Sequence, residues 1–379
     1  MRKLFTQIHI WLSLPFGIII TIACFTGGLL VFETELQELA NPARYYVKEK
    51  KEQPMPLSEL IPNVNKQLDS LTIANVSISA NPEKTYVMSF SGRGRGSVYV
   101  NPYTGEIVDQ SIGEASFFSK IRQLHRWLLD DSRKIGRPLV GISTLVLVFI
   151  LISGAIIWLP KRWEHLIKSL KIRTKYGWKR FFFDLHVAGG MYASILLLTY
   201  ALTGLTWSFE WYRDGFYKVF GVETPANNQQ QTRQRGNQWP EQKQGGNRQG
   251  GNRQAEKTAD YRHWDAVVAQ MKQDYKKFKT IRIQDGSVSV GLDQAIGNMR
   301  AADQYTFDSK TGEIVEAKLY ADGDKASRIR GWIYTVHVGS WGGMLTRILS
   351  LIASLIGTLL PITGYYFYFI KKKMVSRKR

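Results

Sequence analysis

The chain has a single cysteine, Cys24. One thiol cannot make an intramolecular disulfide, and its place inside an apolar run marks it as a packing residue. Cys clusters and His-x-x-His spacings are absent too, which leaves a tetrahedral zinc site without a ligand set. Acidic residues are scarce, 31 against 51 Lys and Arg, for a formal net charge of +20. Charge of either sign is missing altogether from residues 10–32, 139–159, 185–209 and 348–370. The mean hydropathy of −0.20 hides this segregation. A hydrocarbon core of about 30 Å takes about 20 helical residues to cross, so each run predicts a membrane span. The first run begins close to Met1 but exceeds the core of a cleaved leader, about 7–15 residues, and reads as a retained helix.

The excess of positive charge has a topological reading before a ligand-binding one. Arg2 and Lys3 precede the first run, residues 161–180 carry eight Lys and Arg against Glu164, and the tail from Lys371 has six Lys and Arg and no acid. Short basic loops stay in the cytoplasm. Both termini and the 161–180 loop are therefore expected inside, the two long loops outside, and nucleic acid is not needed as a partner.

The chain repeats itself. His9 precedes Thr26-Gly27 by 17 residues, and His186 precedes Thr203-Gly204 by 17. The long loops share Thr-Gly-Glu-Ile-Val, from Thr104 and from Thr311, while His125…Ser153-Gly154 is matched by His337…Thr363-Gly364. Each half reads as a span in, an outer domain and a span out, with both halves in the same orientation about an axis along the membrane normal. Around 55–112 and 260–320, helix-like stretches at 60–70 and 264–278 accompany alternating strand patterns such as "TIANVSISA" and "TIRIQDGSVSV". Between Thr224 and Thr258 a Gln/Asn/Gly/Arg stretch offers almost nothing to bury and predicts a flexible insertion. The expected divisions are 1–37 (first span), 38–114 (first outer domain), 115–160 (interfacial helix and second span), 161–180 (basic loop), 181–212 (third span), 213–258 (linker with the insertion), 259–325 (second outer domain), 326–370 (interfacial helix and fourth span) and 371–379 (basic tail).

Of six histidines, four form the repeat-matched pairs His9/His186 and His125/His337, while His165 and His263 have no counterpart. Equivalent side chains can meet near a pseudo-two-fold axis, and two neutral imidazoles facing each other supply the axial ligands of a haem iron. Satisfied structural histidines are the alternative. Gly189 and Gly190, at +3 and +4 from His186, would leave room on its helix face for a porphyrin, or simply serve small-residue helix packing. Seventeen residues of helix rise about 25 Å. This places Gly27 and Gly204 at the depth of His125/His337, and Gly154 and Gly364 at the depth of His9/His186. Two stacked sites follow, an inner and an outer one, with a His9–His337 pairing disfavoured by depth. His125 and His337 are expected on short interfacial helices, with Trp127, Trp332 and Trp341 at headgroup level. Arg93 and Arg95 in "GRGRGS" could meet an anion, though a surface turn explains them as well.

The segments "IHIWLSLPFGIIITIACFTGGLLVF", "LHRWLL", "DLHVAGGMYASILLLTYALTGL" and "VHVGSWGGM…TGYYFYFIKKK", in this order and duplicated, resemble the PepSY-associated transmembrane helix family. The resemblance implies a membrane α-helical fold, four transmembrane helices in a duplicated two-helix unit, with two small α+β PepSY-like periplasmic domains. It further implies a bacterial inner-membrane reductase with b-type haem, two per chain, that reduces a ferric siderophore in the periplasm for iron uptake. Haem ligation carries over onto His9, His186, His125 and His337, and the electron donor is expected in the cytoplasm. The rival readings are a non-redox PepSY peptide-binding or peptidase-regulating membrane protein, and a siderophore transporter. A transporter fits poorly, because the four runs hold no charged residue to couple ions.

Overall fold

The computed structural model describes residues 2–48, 50, 52–68, 72–90, 96–112, 116–159, 169–224, 261–293 and 297–376, the last six by backbone alone. Arg93, Arg95, His165, most of the 224–258 insertion and the last three residues of the tail lie outside the described residues.

Four helices are long and apolar enough to cross a membrane: span 1 (Arg2–Val31), span 2 (Gly136–Trp158), span 3 (Gly177–Ser208) and span 4 (Gly343–Ile370). Span 1 packs on spans 2 and 4, and span 3 packs on the same two, so the bundle closes as a ring of four. Its packing inverts that of a soluble core. Large apolar side chains such as Ile18, Phe149, Ile195 and Ile352 are exposed on the outside. Gly17, Gly28, Gly141, Ser143, Ser153, Ala193, Ala201, Ser350 and Ala353 lie buried between the helices. Lipid tails solvate Leu and Ile as well as a protein does, and association is instead driven by close backbone approach at small residues.

Span 3 is not regular. Its turn Leu185–Gly189 is a π turn, set between α-helical Gly177–Asp184 and Gly190–Ser208. One extra residue in a turn rotates everything before it relative to everything after it.

Beyond the bundle the chain forms one antiparallel sheet of eight strands in the order β4-β3-β2-β1-β5-β6-β7-β8. Strands β1 (Ile73–Ser79), β2 (Tyr86–Phe90), β3 (Gly96–Val100) and β4 (Ile107–Ile112) belong to the first loop. Strands β5 (Phe278–Gln284), β6 (Ser287–Leu292), β7 (Ala302–Phe307) and β8 (Ile314–Lys318) belong to the second. The sequence predicts two small domains, but the two long loops do not fold apart. They share a sheet, joined where β1 pairs with β5 from Asn75↔Gln284 to Ser79↔Thr280. Alternate residues Val76, Ile78, Met88, Val98, Ile281, Ile283, Val288 and Val290 face one core. Helices Leu57–Gln67 and Trp264–Asp274 cover it with Leu57, Leu60, Ile61, Val64 and Trp264, Val267, Val268, Met271, the same i, i+3, i+4, i+7 stripe twice. The Asp265 carboxylate accepts the N–H groups of Leu57 and Ser58 at 2.5 and 3.0 Å, tying the helices of the two halves together.

The shared Thr-Gly turns are the same structure. Gly105 and Gly312 adopt φ of 76° and 77°, and their N–H groups donate to Asn101 and Asp308 carbonyls at 2.9 and 2.8 Å. Left-handed φ at these positions is what glycine permits.

Candidate functional site: two facing histidine pairs

His9 lies near the start of span 1 and His186 in the π turn of span 3, both at the end of the bundle away from the sheet. His125 and His337 stand near and at the C-termini of the short helices Phe117–Trp127 and Lys325–His337, which lead from the sheet into spans 2 and 4. The structure brings them together as the repeat suggests. Ring centroids of His9 and His186 are 6.4 Å apart, and those of His125 and His337 are 6.3 Å apart.

Each imidazole sits in the same kind of socket on a neighbouring span. His9 Nδ1 lies 3.1 Å from the Ile150 carbonyl and 3.1 Å from Ser153 Oγ, and Gly154 lies beneath the ring. His125 Nδ1 lies 3.0 Å from the Ala23 carbonyl and 3.1 Å from Thr26 Oγ1, above Gly27. His337 Nδ1 lies 3.1 Å from both the Tyr200 carbonyl and Thr203 Oγ1, above Gly204. His186 Nδ1 lies 2.9 Å from Thr363 Oγ1, above Gly364. A Cβ added to these glycines would stand 3.1 to 3.5 Å from the histidine Cε1. The glycines expected to line haem space therefore sit directly beneath the histidines, and their missing side chains let each ring reach a helix carbonyl.

The socket fixes the tautomer. A carbonyl oxygen can only accept. Each hydroxyl has already given its proton to its own helix: Ser153 to Ile150 at 2.9 Å, Thr26 to Ile22 at 2.6 Å, Thr203 to Thr199 at 2.7 Å and Thr363 to Leu359 at 2.9 Å. The carbonyls make Nδ1 the donor in His9, His125 and His337, and the Thr363 hydroxyl, donating to its own helix, accepts from His186 in the same way; among the described residues Nε2 of the neutral rings then has no hydrogen-bond partner. Burial favours that neutral form. It is the main cause holding His125 and His337 below imidazole's usual value, His337 at about 4, with the charge of the facing His125 adding to the effect at His337.

These features test whether a metal cofactor fits. A metal–imidazole bond is about 2 Å long, so two rings on opposite sides of one ion have centres about 6 Å apart. An aromatic edge contact spans the same range, so the distance alone does not discriminate. The Nδ1–H bonds are compatible with a metal, because a metal-binding histidine commonly anchors its other nitrogen on a carbonyl and keeps the second free. Among the described residues no group of three or more His, Cys, Asp and Glu could hold a metal ion. The donor set at each level is two imidazoles, which suits a haem iron whose other four ligands come from the porphyrin.

Gly189 and Gly190 are placed otherwise than the sequence suggested. A Cβ on Gly189 would meet Leu185 and Ile356, and one on Gly190 would meet Leu360 at 3.2 Å. The π turn removes them from the ring's face, and they allow span 4 to pack closely. His263 lies against the Gly312 turn, remote in sequence and fold from both pairs. Sequence reasoning passed over Asp184, just before the uncharged run. It is buried, with Arg180 at 2.9 Å and the Arg173 N–H at 3.1 Å, and it ties the preceding loop to the turn that carries His186. The carbonyl acceptors escaped it too, since every residue type has a carbonyl.

A bundle of four candidate membrane spans, with paired histidines at two levels and a sheet at one end, defines a membrane protein. The family profile of the PepSY-associated TM region matches residues 6–372, nearly the whole chain. The chain belongs to that family. No curated protein matches it.

Proposed function

We propose that this protein is a b-type haem reductase of the bacterial inner membrane, which passes electrons outward to reduce a ferric siderophore or similar ferric chelate in the periplasm. The observation that carries this reading is the fourfold socket: four histidines, all with Nδ1–H spent on a span and Nε2 left free, meeting as two pairs. His9 and His186 would hold one haem at the cytoplasmic level, His125 and His337 a second at the periplasmic level. Bound there, haem supplies reversible one-electron transfer, which no side chain at either level supplies. The chain's own part is to present the ligands, exclude water with apolar walls and fix the distance between levels. The matching sockets of the two halves fit an internal duplication in which each half contributes one ligand to each level. The basic N-terminus and basic loop favour the sheet-distal end as the cytoplasmic one, where a reductant would donate. Reduction releases iron because hard oxygen donors hold Fe²⁺ less tightly than Fe³⁺.

The test is to purify the full chain in mild detergent and measure haem by pyridine haemochrome and by reduced-minus-oxidised spectra. The reduced protein is then mixed with a ferric chelate and a ferrous trap. Two b-type haems per chain, reoxidised as ferrous iron appears, is the expected result. A colourless protein that also takes up no added haem would overturn the reading and leave a peptide-binding sheet on a membrane anchor.

A further inference from the structure

The stretch "RWLLDDSRKIGR", from the last turn of the His125 helix through the connecting loop to the first residues of span 2, carries Arg126, Arg133, Lys134 and Arg137, with Arg122 one turn earlier in the helix. Only Arg122 has a carboxylate partner, Glu33 at 2.6 Å; among the described residues the others make no ion pair. Asp130 lies in their midst but is committed to the loop itself. It accepts from Ser132 N and Oγ at 3.1 and 2.6 Å, from Ile135 N at 2.9 Å and from Gly136 N at 2.8 Å. Asp131 is exposed and makes no described ion pair.

The cations are arranged rather than scattered. The Arg126 and Arg133 guanidiniums lie 5.1 and 4.4 Å from the centre of the Trp127 ring. Arg137 Nη2 donates to the Trp207 carbonyl at 2.8 Å, and the Trp207 ring packs edgewise on His337 at 5.0 Å. The patch thus borders both histidines of the sheet-proximal pair. Its backbone is strained: Leu128, Leu129 and Arg133, with φ of 53°, 61° and 56°, are all the left-handed non-glycine residues among the described ones. Such strain persists where surrounding structure enforces it, and it clusters at functional sites. Span 2 supplies the enforcement, since a Cβ on Gly136 would overlap the Trp127 carbonyl.

The other half shows that the turn does not need these charges. There "VGSWGG" makes the same link from His337 into span 4, uncharged, with glycines at the left-handed positions Gly339 and Gly343. Nor does membrane topology call for them, because the bias that gathers Lys and Arg on the cytoplasmic side gives no reason for a cluster at the sheet end.

We infer that the Trp127 patch, with Arg126, Arg133 and Arg137, is the docking surface for a small anionic metal chelate, one presenting catecholate or carboxylate oxygens to the sheet-proximal pair. Guanidiniums grip such oxygens in bidentate pairs, and the exposed Arg126 and Arg133, held against the half-buried Trp127, offer planar faces to a flat ring. The inference rests on the reductase reading and narrows its substrate to chelates of negative charge.

Binding is tested apart from redox chemistry by calorimetric titration of the full chain with gallium(III)-loaded chelates, which cannot be reduced. An anionic tris-catecholate is compared with a neutral tris-hydroxamate, in neutral detergent and in nanodiscs with and without anionic lipid. The tris-catecholate is expected to bind more tightly, with affinity falling as salt rises. Arg126→Gln/Arg133→Gln should weaken it about tenfold or more, with Arg126→Lys/Arg133→Lys restoring part of the loss and the haem spectrum unchanged. Equal affinity for the two chelates, or an unaffected Gln variant, overturns the proposal. So does haem loss in the Gln variant, which would assign the arginines to cofactor retention. Charge preference abolished by anionic lipid would assign them to headgroups instead. If a colourless protein still binds the anionic chelate selectively, the docking surface stands and the reductase reading falls; a haem protein indifferent to chelate charge gives the reverse.

Discussion

The two histidine pairs are assembled from the same parts with the helices exchanging roles. At the sheet-distal level the histidines stand on spans 1 and 3, and spans 2 and 4 provide the sockets. At the sheet-proximal level the histidines stand on short helices ahead of spans 2 and 4, and spans 1 and 3 provide the sockets. Every histidine is gripped by its own half of the chain, yet each pair takes one histidine from either half. A half is therefore a unit that presents two histidines, and a pair exists only where the halves meet. The levels differ in their surroundings: the proximal pair is bordered by arginine, tryptophan and water-exposed loops, whereas the distal pair is set in the bundle with Asp184 anchoring the approach to it. A fold can thus reuse one histidine socket while giving each end different surroundings.

The largest effect that would break the comparison comes from the ligands. His337→Ala should remove the proximal cofactor alone, lowering b-type absorbance by about half and chelate reduction by at least about 100-fold. His9→Ala should remove the distal one by the same amount, with the proximal level still reoxidised by chelate. Absorbance measured on each variant at equal protein decides this, and complete loss in either would mean the levels are not independent.

Next in size are the sockets. Gly204→Leu and Gly154→Leu each place a side chain under a histidine ring. Each should reduce haem affinity at its own level by about 10- to 100-fold, as loss of a ligand-orienting contact does. Haem titration of the stripped variants measures it. Gly190→Leu strikes Leu360 instead and should disturb span packing while leaving spectral band shapes alone, which separates packing glycines from socket glycines.

A smaller effect appears with pH. The ordinary imidazole value is 6.5, and in the folded protein burial takes His337 down to about 4, with His125 shifted the same way. Between these values the unfolded chain binds more protons than the folded one, so stability of the haem-free protein rises with pH there. Acidification from pH 6.5 toward 4 should lower its thermal midpoint, and His337→Gln should flatten that dependence. The smallest effect is expected from Thr203→Val. The Tyr200 carbonyl still accepts from His337, so about 1 kcal/mol is lost at most, equal to about 40 mV in the proximal midpoint potential.

Much of this arrangement is legible in the sequence because it is repeated there. The 17-residue steps from His9 to Thr26 and from His186 to Thr203 place the residues at opposite ends of the bundle, and Ser153-Gly154 and Thr363-Gly364 complete the pattern. The uncharged runs mark the spans, since lipid imposes a length and composition that soluble packing does not. Other features have no such trace. The π turn at Leu185–Gly189 carries no composition signal, and a regular helix misplaces Gly189 and Gly190. The joining of β1 to β5 depends on register between strands about 200 residues apart, where each half alone shows only ordinary alternation. The arginine patch was hidden in a net charge already explained by topology, and the contrast with "VGSWGG" becomes informative once the two loops are seen to make the same link.

The central claim is that each level is a site with one histidine from either half. Low-temperature electron paramagnetic resonance of the oxidised full chain tests it most directly, read beside His9→Ala and His125→Ala. The account predicts two low-spin ferric signals of bis-histidine type, each variant abolishing one and sparing the other. High-spin ferric signals in the unaltered protein, or one low-spin signal lost in both variants, would contradict it.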